Sequence, residues 1–256
     1  MKYVTSNGGI YLITTLTITA LSVLVIHQLQ LDRSFYRYTV TLPGILALVF
    51  LFLPKLSNIR FPDFLRQFKV SGKIIKWLLL SLFLYTILSY VASAISAIAF
   101  NGNFIWLPNF QIPLSKMGLI FVLAFFEEIG WRGFALSQLL EKFNFVQSSL
   151  FVGVVWALWH FPGYLVGFGA PNDIPFVVFS LWVIASSFVF SWLYLKSNKS
   201  VWTAILLHFG ANMTLQLYPI MPSPAKTSAT FYIMTLLVVG IAIVLSIKSK
   251  QFKINY

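Results

Sequence analysis

FFEEIGWRGF, residues Phe125 to Phe134, sets two glutamates and an arginine inside a run whose other residues suit the interior of a membrane. The surrounding chain decides whether that setting is real. It has 256 residues, of which 59% are hydrophobic and 9% charged. Soluble domains average about 25% charged residues, so this composition excludes an ordinary soluble domain and makes the bilayer the solvent of the fold. The net charge of +12 matches loop lysines and arginines facing an anionic membrane surface rather than a nucleic-acid partner. The chain has no cysteine, which excludes disulfides and thiolate metal sites.

Outward from the quoted stretch, eight apolar segments can be drawn, at roughly 9–31, 38–54, 77–100, 117–140, 146–168, 174–195, 201–220 and 229–247. Each is near the length a spanning helix needs. Backbone groups in lipid must pair within their own segment, so helices are expected and the alternating strands of a barrel are not. The first segment is longer and more uniform than a signal peptide and reads as a helix. The reading is an all-α, polytopic bundle of about eight spanning helices forming a single domain over 1–256, with extramembrane loops at Asn101–Lys116 and Tyr218–Ala229. With a cytoplasmic N-terminus, thirteen lysines and arginines fall inside and four outside: Arg33, Arg37, Lys116 and Lys226. That asymmetry places both termini in the cytoplasm.

Against this background the polar residues at membrane depth are conspicuous. Glu127 and Glu128 are the deep members of six acidic residues, and His160 and His208 are the deep members of three histidines. Three charges on one lipid-facing helix would cost on the order of 10 kcal/mol, comparable to the net stability of a domain. Glu127, Glu128 and Arg132 must therefore face the bundle interior, pair, or line a wet cavity. Glu128 and Arg132 are four apart and share a helix face, which predicts an ion pair. Glu127 is turned about 100° away and is left to meet a partner on another helix. Trp156 with His160, in WALWH, and His208 with Asn212, in HFGAN, repeat the four-residue spacing. Counted along their helices, Glu127, His160 and His208 lie about 15, 10 and 20 Å deep, which allows a shared layer.

A carboxylate and an imidazole in a partly dry cavity can activate water as general bases. A second histidine and an asparagine amide can hold a developing oxyanion. Alternatively, Glu127, His160 and His208 can ligate one divalent metal such as zinc, although the HExxH motif is absent. Taken singly, each residue has a bland reading. Glu128–Arg132 can be purely structural, His160 can cap a carbonyl freed by Pro162, and His208–Asn212 can be interhelical glue. Gly163 and Gly167, and likewise Gly130 and Gly133, read as packing positions, and His27 as interfacial.

The three motifs together resemble the CPBP family, the CAAX proteases and bacteriocin-processing (Abi) enzymes. EEIGWR matches its EExxxR pattern, WALWH its aromatic-xxx-His pattern and HFGAN its HxxxN/D pattern, in order over about residues 115–215. The usual aromatic is Phe; the Trp156 of this chain is expected to alter packing beside His160 and leave the catalytic atoms untouched. The resemblance implies an intramembrane endopeptidase acting on a membrane-associated peptide or protein. In it Glu127 and His160 activate water, His208 and Asn212 stabilise the oxyanion, and Glu128 and Arg132 support the site. It covers CAAX-type processing, bacteriocin immunity and peptide-pheromone maturation, and both metal-dependent and glutamate-dependent mechanisms. Two readings stand beside it: a non-proteolytic membrane scaffold of the same family, and a proton-coupled transporter built on the same buried groups, for which inverted repeats are not evident.

Overall fold

The computed structural model describes residues 6–100, 104, 111–168, 174–218 and 229–249. Most of the two expected loops, together with Lys2, Asp173, Lys226, Lys250 and Lys253, lies outside the described residues. Helices dominate: α1 (Asn7–Gln28), α2 (Tyr36–Val40), α3 (Leu42–Leu51), α4 (Phe61–Arg66), α5 (Ile75–Phe100), α6 (Leu114–Glu128), α7 (Ser137–Leu140), α8 (Phe145–Leu165), α9 (Phe176–Lys196), α10 (Val201–Leu217) and α11 (Thr230–Lys248). A π-helical stretch, Ile129–Leu136, joins α6 to α7.

Among the described residues, six helical spans are both long enough and apolar enough to cross a membrane: 7–28, 33–51, 72–100, 145–165, 176–196 and 230–248. The molecule is an integral, multi-pass membrane protein. The other two expected segments are helical as well. α10 is 17 residues long, and the 114–140 segment carries the ionic residues and the π stretch.

Local sequence sets the ends of these helices. Ser6 caps α1 by accepting the Gly9 N–H at 3.0 Å. Asn144 and Gln147 form a reciprocal capping box at the start of α8, satisfying two of the N–H groups that a helix start leaves free. Pro43 falls in the first turn of α3, where its missing N–H costs nothing.

The packing has the inside-out pattern expected in lipid. On α5, Leu79, Phe83, Ile87, Val91 and Ile95 are exposed, while Ser81, Tyr85, Ser89, Ala92 and Ser93 are buried. Small and hydroxylated residues let helix backbones approach, and the large apolar ones face lipid. Burial identifies α9 as the central span: 61% of its apolar window is buried, against 28% for the span containing α5. Around it α8 packs on α9, α10 on α5 and α6, and α11 on α5 and α9, while α3 lies against the π stretch.

Two glycines fix the closest approaches. At Gly130 a side chain would collide with the Tyr11 hydroxyl and with Pro43, the same two residues whose hydrogen bond (Tyr11 Oη to the Pro43 carbonyl, 2.7 Å) ties α1 to α3. At Gly210 it would collide with the Leu82 carbonyl of α5, so the α5 and α10 backbones meet there, two residues beyond His208. Gly210→Ala is therefore expected to destabilise the protein by about 1–3 kcal/mol. Thermal unfolding in detergent checks this against Gly240→Ala, where the added methyl meets nothing within 4 Å and little change is expected.

Candidate active site

The last turn of α6 and the π stretch hold the ionic residues, and both are buried. Glu128 and Arg132 are 0% exposed and Glu127 is 5% exposed. Arg132 Nη1 donates to Glu128 Oε1 and Oε2, each at 2.9 Å. His208 of α10 brings Nδ1 to 2.8 Å from Glu128 Oε1. One carboxylate thus joins its own helix to a second one. The Arg132 guanidinium carbon lies 4.4 Å from the Trp156 ring centroid and 4.2 Å from that of Phe190. The planar cation is held between two aromatic faces, a geometry that suits arginine and that a lysine ammonium would not reproduce.

The π stretch is a local answer to this crowding. Its wider turn leaves the backbone hydrogen bonds irregular, and side chains meet two of its carbonyls. Ser137 Oγ donates to the Arg132 carbonyl at 3.3 Å, and Gln67 Nε2 donates to the Gly133 carbonyl at 3.0 Å. Tyr194 Oη in turn donates to Gln67 Oε1 at 2.9 Å. Such stretches are rare in ordinary helices and recur at functional sites.

Glu127 meets partners on two other helices. Trp156 Nε1 of α8 donates to Glu127 Oε2 at 3.0 Å, and His208 Nε2 lies 3.9 Å from Glu127 Oε1. The expectation that Trp156 would leave the catalytic atoms untouched is therefore corrected. Its indole nitrogen bonds Glu127 directly, as a phenylalanine ring at that position could not.

His160 Nδ1 lies 2.7 Å from the Trp156 carbonyl. A carbonyl can only accept, so Nδ1 carries the proton and Nε2 holds the free lone pair. The bonded carbonyl belongs to Trp156 rather than to Leu158, the residue whose carbonyl Pro162 releases from the helical ladder. The His160 ring is held edge-on by Trp159 and Phe179, at centroid distances of 5.0 and 5.1 Å.

His160, His208 and Asn212 line one cavity of about 100 Å³, together with Tyr85, Trp156, Phe179, Trp182, Val183, Ser186, Phe190, Ala211 and Leu215. Glu127 is not on its wall; it sits behind His208 and Trp156, which are. Glu128 and Arg132 lie deeper still. Tyr85, Trp182 and Ser186 belong to no motif, and their helices offer no sequence signal beyond a polar residue at buried spacing. As placed, Glu127, His160 and His208 do not form a ligand set. Among the described residues no group of three or more His, Cys, Asp or Glu side chains is close enough to hold a metal.

A carboxylate–imidazole–amide constellation inside a multi-pass helical bundle defines the class: a membrane protein with an enclosed polar site. Sequence comparison gives the relatives. Residues 108–214 match the family described as type II CAAX prenyl endopeptidase Rce1-like. The chain is 31% identical over 137 residues to CAAX prenyl protease 2 of Methanococcus maripaludis, an overlap covering 50% of this chain and 48% of that protein. The match thus spans about half the length of this curated relative. Over that segment the chain is similar to the CAAX prenyl endopeptidases.

Trp156→Phe keeps an aromatic ring over Arg132 and removes the donor to Glu127. A hydrogen bond to a charged group contributes about 1.5–3 kcal/mol. The variant is expected to lose folding stability by about that amount, and thermal unfolding in detergent checks it.

Proposed function

We propose that the protein is an intramembrane endopeptidase that hydrolyses a peptide bond in a membrane-associated peptide or protein. The observation that carries this reading is the tautomer of His160. With Nδ1–H committed to the Trp156 carbonyl, an Nε2 lone pair remains on a residue that lines the cavity. Glu127 and His160 are assigned the proton acceptors for an attacking water. The water oxygen bonds the peptide carbonyl carbon as one of its protons passes to one of these bases, and the other stays on the new hydroxyl. The carbonyl oxygen becomes an oxyanion held by the Asn212 amide and by His208, which donates from Nε2 when its ring carries both protons. Collapse of the tetrahedral species breaks the C–N bond, and the leaving amine takes a proton back from Glu127 or His160.

Glu128 and Arg132 are assigned supporting roles, with Glu128 orienting His208 through its 2.8 Å contact. The catalytic core is assigned to about residues 115–215 and both termini to the cytoplasmic side, following the loop charge asymmetry. Because the curated relative is named a CAAX prenyl protease, the substrate class proposed is a peptide ending in a prenylated cysteine followed by two aliphatic residues and a terminal residue.

Glu127→Gln retains the shape of the side chain and removes the base. Purified wild type is expected to cleave a quenched fluorogenic peptide of that class, and Glu127→Gln to lose at least 100-fold in kcat. Full turnover by Glu127→Gln would refute the assignment.

A further inference from the structure

The cavity wall has a polar patch, contributed by α5 and α9, that the proposed mechanism does not use. Tyr85 comes from α5, outside residues 108–214 that match the family model, and is 2% exposed. Its hydroxyl donates to Ser186 Oγ of α9 at 2.5 Å. Trp182 lies one helical turn before Ser186, on the same face of α9, and its ring meets Tyr85 edge-on at 5.9 Å. All three line the cavity together with His160, His208 and Asn212.

Two donors in this patch are spare. The Trp182 indole N–H is buried with no partner among the described residues. Ser186 accepts from Tyr85, which turns its own hydroxyl proton away from that contact. Its proton has no acceptor among the described residues. Buried donors are rarely left unpaired, and an apolar cavity raises the cost of doing so. Something that accepts hydrogen bonds therefore belongs here. The indole N–H and the hydroxyl are neutral donors, and no lysine or arginine is on the cavity wall, so the patch suits a neutral oxygen.

We propose that Trp182 and Ser186, with Tyr85 orienting the Ser186 hydroxyl, form a binding site for a main-chain carbonyl oxygen of the substrate next to the scissile bond. The site fixes the peptide across the cavity so that the scissile carbonyl faces Asn212 and His208. It rests on the peptidase reading for the identity of the occupant, and supplies a contact that the three motifs do not.

The test measures binding rather than turnover. Full-length Glu127→Gln protein is titrated with the prenylated peptide and with two analogues, each having one carbonyl flanking the scissile bond reduced to a methylene. One analogue is expected to bind about tenfold more weakly than the parent. Ser186→Ala and Trp182→Phe, each added to that background, are expected to weaken the parent by a similar factor, and Tyr85→Phe by about threefold. In the Trp182→Phe/Ser186→Ala protein the parent and the sensitive analogue should bind equally, an equality that a merely structural role would not produce. The proposal is overturned if neither analogue loses affinity in the unsubstituted background, which needs no wall variant to fold. It is also overturned if the analogue penalty persists in the double variant, or if the parent peptide does not bind. Wild type that binds in the expected pattern yet cleaves nothing would sink the peptidase reading and leave the carbonyl site standing.

Discussion

The Glu128 carboxylate holds the centre of the molecule together. It is fully buried, takes Arg132 from its own helical segment and receives His208 from α10. An uncompensated charge at this depth would cost several kcal/mol, so the three groups must arrive together. Once they do, other features follow. Arg132 is enclosed by Trp156 and Phe190, which ties α8 and α9 to the same point. His208 is turned so that its second nitrogen approaches Glu127. The helix that carries the pair relaxes into a π stretch whose irregular carbonyls are met by Gln67 and Ser137. Glycine at 130 admits Tyr11 and Pro43 against that stretch.

This arrangement separates two tasks. Glu128 and Arg132 are removed from the cavity and touch residues of its wall, His208, Trp156 and Phe190. His160, His208 and Asn212 reach the cavity wall. Glu127 stands between the two groups, bonded to Trp156 and close to His208. A carboxylate so placed is buried and lies one residue back from the cavity, behind two residues of its wall. Electrostatic preorganisation of this kind is the usual source of large catalytic effects, because the donors and acceptors need not reorganise during the reaction.

Much of this was legible in the sequence, for identifiable reasons. The cost of burying charge predicted that Glu127, Glu128 and Arg132 face inward, and the four-residue spacing predicted the Glu128–Arg132 pair. Hydropathy located the helices to within a few residues, since lipid permits little else. The rest depends on tertiary approach. Nothing local in IGWRGFAL announces a π stretch; Gly130 and the carbonyl contacts from Gln67 and Ser137 accompany it, and Gln67 lies far away in sequence. The bond from Trp156 to Glu127 was missed because the side chain was read as an aromatic spacer rather than as a donor. The spare donors of Trp182 and Ser186 were invisible because serine and tryptophan are ordinary residues in a spanning helix, and become informative only when their partners can be checked.

The central claim is that Glu128 couples α6 to α10 through His208. The most direct measurement is a double-mutant cycle on folding stability in detergent, with Glu128→Gln, His208→Gln and the double variant. The account predicts that the double variant is less destabilised than the sum of the single variants by about 1 kcal/mol or more. Additivity within about 0.5 kcal/mol, the behaviour of independent sites, would contradict it.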